Sequence, residues 1–180
     1  MSGRLIAVVG PSGVGKDSVM AAMAVADQRL GLVRRVITRP GSAGGEEFDG
    51  VDEARFEAMR AADRFALWWQ AHGLHYGIPA RVDADLAAGR DMLANLSRGV
   101  LVAAQARFPG LAVIALRADP AVLAARLAAR GREDASDIRR RLARAGSGLP
   151  KGVRAIEIDN SADLDATVQS ALAALYPVRP

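Results

Sequence analysis

The chain has 180 residues, of which 51% are hydrophobic, which suffices for one buried core and is too short for two large independent domains. It has no cysteine, which excludes a disulfide framework and thiolate metal sites. Its net charge is +4, and Lys16 and Lys151 are its only lysines among many arginines. This excess of arginine could reflect coding bias alone, or binding of nucleic acid or of small anions. The chain has few aromatic residues to stack on bases, which favours small anions over nucleic acid.

The apolar stretch before Gly10 is shorter than a signal-peptide core and runs directly into a glycine-rich segment. No later apolar run reaches the roughly 18 residues that a membrane span requires. We therefore expect a soluble, cytoplasmic protein that binds small molecules and neither nucleic acid nor a membrane. Whether it is a monomer or a homodimer stays open at this point.

Short apolar runs alternate with longer amphipathic stretches along the chain. The predicted strands are 5–9, 32–37, 91–96, 111–116 and 154–158, and the predicted helices are 16–26, 98–108, 120–130 and 164–175. Such βαβ alternation predicts an α/β fold, with a parallel sheet flanked by helices.

Two stretches interrupt this alternation. Residues 38–81 contain a glycine-rich start, a predicted helix at 52–62 and predicted strands at 65–69 and 74–78, which indicates an inserted, acceptor-binding subdomain. Residues 126–150 are rich in arginine and end in a glycine-containing segment, which is typical of a basic lid that closes over anions. We expect a single domain, 1–180, whose core is 1–37, 82–125 and 151–180.

A phosphate-binding motif follows the first predicted strand. It consists of Gly10, Pro11, Ser12, Gly13, Val14, Gly15, Lys16, Asp17 and Ser18. This matches the P-loop pattern between a strand and a helix, where inward-facing amides and the helix N-terminus bind a polyphosphate. The motif predicts a P-loop NTPase fold with Lys16 at the β- and γ-phosphates as a catalytic residue. The alternative is a glycine-rich turn with a solvent-exposed lysine.

The metal position of this motif is unusual. The residue after Lys16 is usually Ser or Thr, whereas here Asp17 and then Ser18 follow. A carboxylate suits Mg²⁺ but repels phosphate, so Asp17, Ser18 or both remain candidate ligands. No predicted strand ends in an evident second aspartate, and the nearest candidate position holds Asn95.

Four segments resemble the guanylate kinase superfamily in the same order, over nearly the whole chain. They are the phosphate loop, Thr38-Arg39-Pro40, Tyr76-Gly77 and residues 130–142. The resemblance implies ATP and Mg²⁺ as cofactors and an acceptor phosphate held by Arg39 and Tyr76. It also implies that Arg130, Arg132 and Arg141 approach the ATP phosphates, the last two in catalysis. Ordinary surface arginines and a half-buried tyrosine are the competing interpretations.

The base-reading acids of guanylate kinases are missing, since their positions fall near Gln70 and at Asn95, Leu96 and Ser97. Instead, Gly-Lys-Asp-Ser, Ile-Thr-Arg-Pro, Trp-x-Ala-His-Gly-x-x-Tyr-Gly and Asn-x-Ser-Arg are similar to the ribose 1,5-bisphosphate phosphokinase family. That resemblance implies ATP-dependent formation of 5-phospho-α-D-ribose 1-diphosphate in phosphonate catabolism. The alternatives are a guanylate or other nucleoside monophosphate kinase, and a noncatalytic guanylate-kinase-like interaction module.

A bisphosphate acceptor requires a second anion site besides Arg39. Arg98, at the start of a predicted helix, is our candidate, with Arg35 in reserve. His72 is a further candidate for contacts to phosphate or ribose hydroxyls, although a satisfied hairpin histidine is the alternative. We expect the tryptophans at 68 and 69 to serve packing.

Overall fold

The computed structural model describes residues 2–40, 47–129 and 148–177. The strands in these ranges are β1 (Leu5–Val9), β2 (Leu30–Leu32), β3 (Arg35–Ile37), β4 (Phe48–Gly50), β5 (Phe65–Ala71), β6 (Leu74–Pro79), β7 (Asp91–Asn95), β8 (Ala112–Arg117) and β9 (Ile156–Asp159). The α-helices are α1 (Lys16–Ala26), α2 (Glu53–Ala61), α3 (Val82–Ala87), α4 (Leu101–Arg107), α5 (Pro120–Ala129) and α6 (Leu164–Leu175).

The larger sheet has the strand order β2-β7-β1-β8-β9, and every pair in it is parallel. Side chains of β1 alternate between two buried clusters, with Leu5 and Val9 on one face and Ile6 and Val8 on the other. Helices cover both faces, which explains why β1 is a continuous apolar run. The predicted α/β class with a parallel sheet flanked by helices is confirmed.

A smaller sheet of order β4-β3-β6-β5 is built from residues between β2 and α3. Helix α2, which Asp52 caps by accepting a hydrogen bond from the Arg55 amide, covers one face. There the Phe56 ring stacks on Phe65 at a centroid distance of 4.6 Å. Trp69 on β5 belongs to the cluster that also covers one face of β1. The smaller sheet therefore packs onto the core of the larger one.

The predicted strand at 32–37 is wrong, because this segment is divided between the two sheets. Leu32 pairs with Leu93 of β7, whereas Val36 pairs with Gly77 of β6. Strand β4 and helix α3 were not predicted, and the predicted helix at 98–108 begins as a 3₁₀ turn at Arg98–Val100. These short elements depend on pairing and packing with distant residues, which local sequence patterns do not report.

Ligands of open parallel sheets bind outside the carboxyl ends of the strands. At this edge, β1 leads into the phosphate loop, β7 ends at Asn95 and β9 is followed by Asn160. The opposite edge is tied together by Tyr176, whose hydroxyl donates to Asp91 at 2.6 Å. None of the helices in the described ranges is long and apolar enough to cross a membrane.

Candidate active site

The phosphate loop ends at Gly15, which precedes α1 and has a left-handed conformation with φ of 89°. Helices α2 and α6 begin with an aspartate that accepts a backbone hydrogen bond, whereas α1 has no side-chain cap. The first amides of a helix have no partner within the helix, and its N-terminus is partially positive. At α1 the N-cap residue is a glycine, so no capping side chain competes with an anion for these amides, in keeping with the sequence motif.

The ammonium group of Lys16 lies against the start of the same loop. Its Nζ donates to the carbonyl oxygens of Gly10 at 2.9 Å and Pro11 at 3.1 Å. The side chain thus spans the loop and places a positive charge beside the amides. A phosphate bound there would meet both kinds of donor, which is the arrangement required for Lys16 to act on a polyphosphate.

Asp17 and Asn95 meet across the phosphate loop. The Asn95 amide donates to one carboxylate oxygen of Asp17 at 3.2 Å, while Ser18 is exposed. Among the described residues there is no group of three or more His, Cys, Asp or Glu side chains that could hold a metal. A site with one carboxylate still fits Mg²⁺, which usually keeps several waters and uses one or two carboxylates together with substrate phosphates.

The acceptor candidates Arg35 and Tyr76 lie together with Trp69. The Trp69 and Tyr76 rings stack at 5.3 Å with an interplanar angle of 9°, since they are paired across β5 and β6. The Arg35 guanidinium carbon lies 5.1 Å from the Tyr76 ring centroid and is buried. The structure thus brings a buried cation beside a phenol, and this cation is Arg35, the reserve candidate from the sequence.

Trp69 connects this stack to the larger sheet, because its indole nitrogen donates to Oγ of Ser97 at 2.9 Å. Of the neighbouring residues Trp69 and Gln70 on β5, Trp69 faces the core and Gln70 is exposed on the opposite side of the strand. The resemblance to guanylate kinases puts the missing guanine-reading acid near Gln70, and the side chain that faces the core there is Trp69. Packing is confirmed for Trp69, whereas Trp68 is exposed with Arg60 above its ring.

Arg39 lies in the turn after β3. The Thr38 hydroxyl accepts a hydrogen bond from the His75 amide at 2.8 Å, which fixes the start of this turn to β6. The Arg39 guanidinium carbon lies 4.3 Å from the centroid of the Phe48 ring. Arg39 is therefore attached to the smaller sheet by stacking, a contact that sequence patterns did not indicate because β4 was not predicted.

The other candidates lie in less defined positions. Arg98 is half-buried in the 3₁₀ turn that follows Ser97, one residue from the partner of Trp69. His72 is exposed in the β5–β6 hairpin turn with φ of 53°. The ring of His75 instead packs on Phe56 at 5.3 Å. The predicted lid residues Arg130, Arg132 and Arg141 lie outside the described residues.

Asn160, which no sequence motif indicated, contacts the phosphate loop from behind. Asn160 is 4% exposed, and its amide nitrogen donates to the Val14 carbonyl at 2.7 Å. The preceding Asp159 accepts hydrogen bonds from the side chain and backbone of Ser161, which hold the pKa of its carboxyl below the usual range. A polar residue at the carboxyl end of a core strand was the available signal, since such positions line ligand sites.

Comparison with known proteins identifies the family. The chain is 54% identical over 178 residues to ribose 1,5-bisphosphate phosphokinase PhnN of Ruegeria sp. (strain TM1040), covering 98% of this chain and 94% of that protein. It belongs to the ribose 1,5-bisphosphate phosphokinase family. A second family member, PhnN of Pseudomonas paraeruginosa (strain DSM 24068 / PA7), is 45% identical, with 96% and 95% covered. The family resemblance inferred from the motifs is confirmed.

The fold of this ribose 1,5-bisphosphate phosphokinase family member is also similar to a solved guanylate kinase. The crystal structure of guanylate kinase from Anaplasma phagocytophilum superposes with a TM-score of 0.69 at 16% identity, covering 97% of this chain and 85% of that one. At this identity the likeness concerns the fold. A scan against protein-family models found no match.

Proposed function

We propose that this chain transfers the γ-phosphoryl group of ATP to the 1-phosphate of ribose 1,5-bisphosphate, giving ADP and 5-phospho-α-D-ribose 1-diphosphate. Family membership supports the reaction. The structural observation that supports it most is a pair of contacts at and just after the end of β7. Asn95 contacts Asp17 of the phosphate loop, and Ser97 contacts Trp69, which stacks on Tyr76 in what we call the acceptor stack. Two residues along an extended chain span only about 7 Å. The donor and acceptor sites therefore lie side by side.

In the proposed reaction, an oxygen of the acceptor's 1-phosphate attacks the γ-phosphorus of ATP. A new phosphoanhydride bond forms, the bond to the β-phosphate oxygen breaks, and ADP leaves. Because the attacking phosphate is already an anion at neutral pH, no side chain has to remove a proton. The protein's tasks are then to align two polyanions and to offset their charge.

The phosphate loop performs the donor half of this task. Amides at the uncapped start of α1 and the Lys16 ammonium face the same loop, so they bind the β- and γ-phosphates together. Asp17 and Ser18 would hold Mg²⁺, directly or through water, with Asn95 orienting the Asp17 carboxylate. Bound Mg²⁺ supplies charge neutralisation to the phosphate oxygens.

The acceptor half rests on arginines and one phenol. Guanidinium groups pair with phosphate oxygens bidentately, and a phenol donates one further hydrogen bond. We assign Arg39 and Tyr76 to one phosphate, and Arg98 with Arg35 to the other. Arg35 is suited to this role because it is buried beside Tyr76, where low polarity strengthens its attraction for an anion.

Trp69 disfavours a nucleotide acceptor. Its side chain is buried, stacked on Tyr76 and bonded to Ser97, so it presents no carboxylate to the donor edge of guanine. A site that hydrogen-bonds a polar edge of its substrate prefers that substrate by several kcal/mol, on the order of 10⁴-fold in rate. Without a partner for the guanine edge, the site loses this preference for a guanine nucleotide. A sugar bisphosphate has no such edge to satisfy.

The test is a phosphorus NMR time course with ATP and Mg²⁺, in parallel with ribose 1,5-bisphosphate, with GMP and with no acceptor. We expect new diphosphate signals and ADP only with the sugar bisphosphate. Turnover with GMP instead would establish a nucleoside monophosphate kinase. Absence of turnover with both acceptors, in protein that melts cooperatively, would support the noncatalytic module.

A further inference from the structure

Asn160 lies behind the phosphate loop, between the loop and helix α6. Its amide nitrogen donates to the Val14 carbonyl at 2.7 Å. Its amide oxygen lies 2.9 Å from the hydroxyl of Thr167, whose single proton it shares with the Asp163 carbonyl oxygen, also at 2.9 Å. Thr167 lies in the first turn of α6 and is buried. The nitrogen end of the Asn160 amide faces the loop, because the Val14 carbonyl can only accept a hydrogen bond.

The Val14 carbonyl belongs to the peptide that ends at the Gly15 amide. In a planar trans peptide, the carbonyl oxygen and the amide hydrogen point in opposite directions. Because Asn160 holds the Val14 oxygen on the back of the loop, the Gly15 N–H is directed to the front. There Lys16 crosses the loop and the uncapped start of α1 opens.

Gly15 itself allows Asn160 to approach this closely. A Cβ atom added at Gly15 would lie 2.8 Å from the Asn160 amide nitrogen, closer than real Cβ contacts permit. The loop glycine thus serves the asparagine contact as well as the left-handed backbone. This explains why a side chain is excluded on the rear of the loop.

Arg126 adds helix α5 to the same junction. Its Nη1 donates to the Asn160 carbonyl oxygen at 2.8 Å, and the same nitrogen lies 3.5 Å from the Val14 carbonyl. Arg126 is in the last turn of α5 and is the first residue of the predicted lid. The backbone of Asn160 is therefore fixed independently of its side chain.

We propose that Asn160 is a positioning residue of the nucleotide site: it orients the Val14–Gly15 peptide so that the Gly15 amide can donate to a phosphate of ATP, with Thr167 fixing the asparagine rotamer. This rests on the proposed binding of ATP by the phosphate loop. Removing the asparagine donor leaves the Val14 carbonyl oxygen with only the longer, 3.5 Å contact to Arg126, so the peptide is held less firmly and its oxygen can turn toward the phosphates, which repels them.

The test compares Asn160→Asp, Asn160→Ala and Thr167→Val with the parent protein, measuring ATP affinity by calorimetry and KM and kcat in the phosphoryl-transfer assay. The aspartate introduced by Asn160→Asp has the size of the asparagine, but its carboxylate repels the Val14 carbonyl oxygen. We expect about a tenfold loss of ATP affinity in Asn160→Asp and Asn160→Ala, the scale of one hydrogen bond to a charged partner, and a smaller loss in Thr167→Val. The KM for the sugar bisphosphate should change little.

Tyr176→Phe is the matched control, because it also removes a partly buried side-chain hydrogen bond, but at the opposite edge of the sheet. It should lower the melting temperature and leave ATP affinity unchanged. In Asn160→Asp, ATP affinity relative to the parent should recover as the pH falls and the introduced carboxyl gains a donor proton. Thr167→Ser, which keeps the hydroxyl, should retain parental affinity.

Folded Asn160 and Thr167 variants with parental ATP affinity would overturn the inference, and so would losses of melting temperature alone. If Asn160→Ala does not fold, Thr167→Val and Asn160→Asp still decide the question. Failure of the proposed function is distinguishable, because calorimetry with ATP needs no acceptor. A parent protein that binds ATP but does not phosphorylate the sugar bisphosphate contradicts the proposed reaction and leaves the inference testable.

Discussion

The indole nitrogen of Trp69 donates a 2.9 Å hydrogen bond to the hydroxyl of Ser97, which joins the smaller sheet to the end of β7. Asn95, the last residue of β7 and two residues before Ser97, contacts Asp17 of the phosphate loop. One short segment therefore connects the Trp69–Tyr76 stack to the phosphate loop.

Ser97→Ala should weaken the acceptor site without affecting the donor site. Losing this partly buried hydrogen bond costs about 1 kcal/mol, so we expect roughly a fivefold rise in KM for the sugar bisphosphate.

Trp69→Ala should also destabilise the fold by about 3–5 kcal/mol, because it removes a buried aromatic ring. Steady-state kinetics and urea unfolding measure these effects. The control is Trp68→Ala on the exposed side of β5, and an equal effect there would contradict the assignment.

Lys16→Met should lower kcat by about 10²-fold or more, because one charged donor to the transferring group is lost. The substitution keeps most of the side chain's length and apolar stem. The other lysine in the chain, Lys151, is the matched control, since Lys151→Met removes the same charge from an exposed turn. Equal turnover in the two variants would exclude Lys16 from the chemistry.

Asp17→Asn should raise the Mg²⁺ concentration needed for half-maximal activity, because a neutral amide binds a hard cation less well than a carboxylate. Asp27→Asn, in the residue that ends the same helix far from the loop, is the control. A Mg²⁺ titration of initial rates distinguishes them. An unchanged titration curve for Asp17→Asn would remove Asp17 from the metal site.

Arg132→Ala and Arg141→Ala should lower kcat more than they change ATP affinity. Cationic side chains from a lid stabilise charge that spreads over the transferred group, which arises only during transfer. Arg60→Ala is the control, because Arg60 is bonded to Glu57 on the surface of α2. Parental kcat in both lid variants would exclude these arginines from catalysis.

Alkaline unfolding should depend on Tyr176. Burial and its hydrogen bond to Asp91 raise the pKa of Tyr176 from 10.0 to about 12. The folded state thus holds the phenol proton more tightly than the unfolded chain. The associated stability is complete below pH 10 and is lost as the pH rises from 10 to 12. Melting temperatures of the parent should fall across this window, and those of Tyr176→Phe should fall less.

The change in melting temperature between pH 10 and 12 can be assigned to Tyr176 because the chain has only two tyrosines and two lysines that titrate in this range. Equal slopes for the parent and Tyr176→Phe would contradict the assigned cause. At acid pH the sign is opposite, since Ser161 lowers the pKa of Asp159 and its stabilising contribution disappears as the pH falls through that lowered value.

Elements that depend on contiguous residues could be predicted from the sequence. The β1 strand and α6 were predicted at their observed bounds, because one is a continuous apolar run and the other is an amphipathic repeat that begins after Asp163. The phosphate loop was evident since its function requires specific residue types at fixed spacing. The roles assigned to Arg39, Tyr76 and Arg98 remain predictions.

The sequence by itself determined the α/β class, the phosphate loop and the family, because these follow from local periodicity and from motifs of contiguous residues. Only the tertiary structure decided that residues 30–37 divide between two sheets, that Trp69 rather than Gln70 faces inward, and that Asn160 holds the Val14 carbonyl. Those facts depend on hydrogen bonds between residues far apart in the chain, as far as 146 positions for Asn160 and Val14. Local spacing carries no information about such partners.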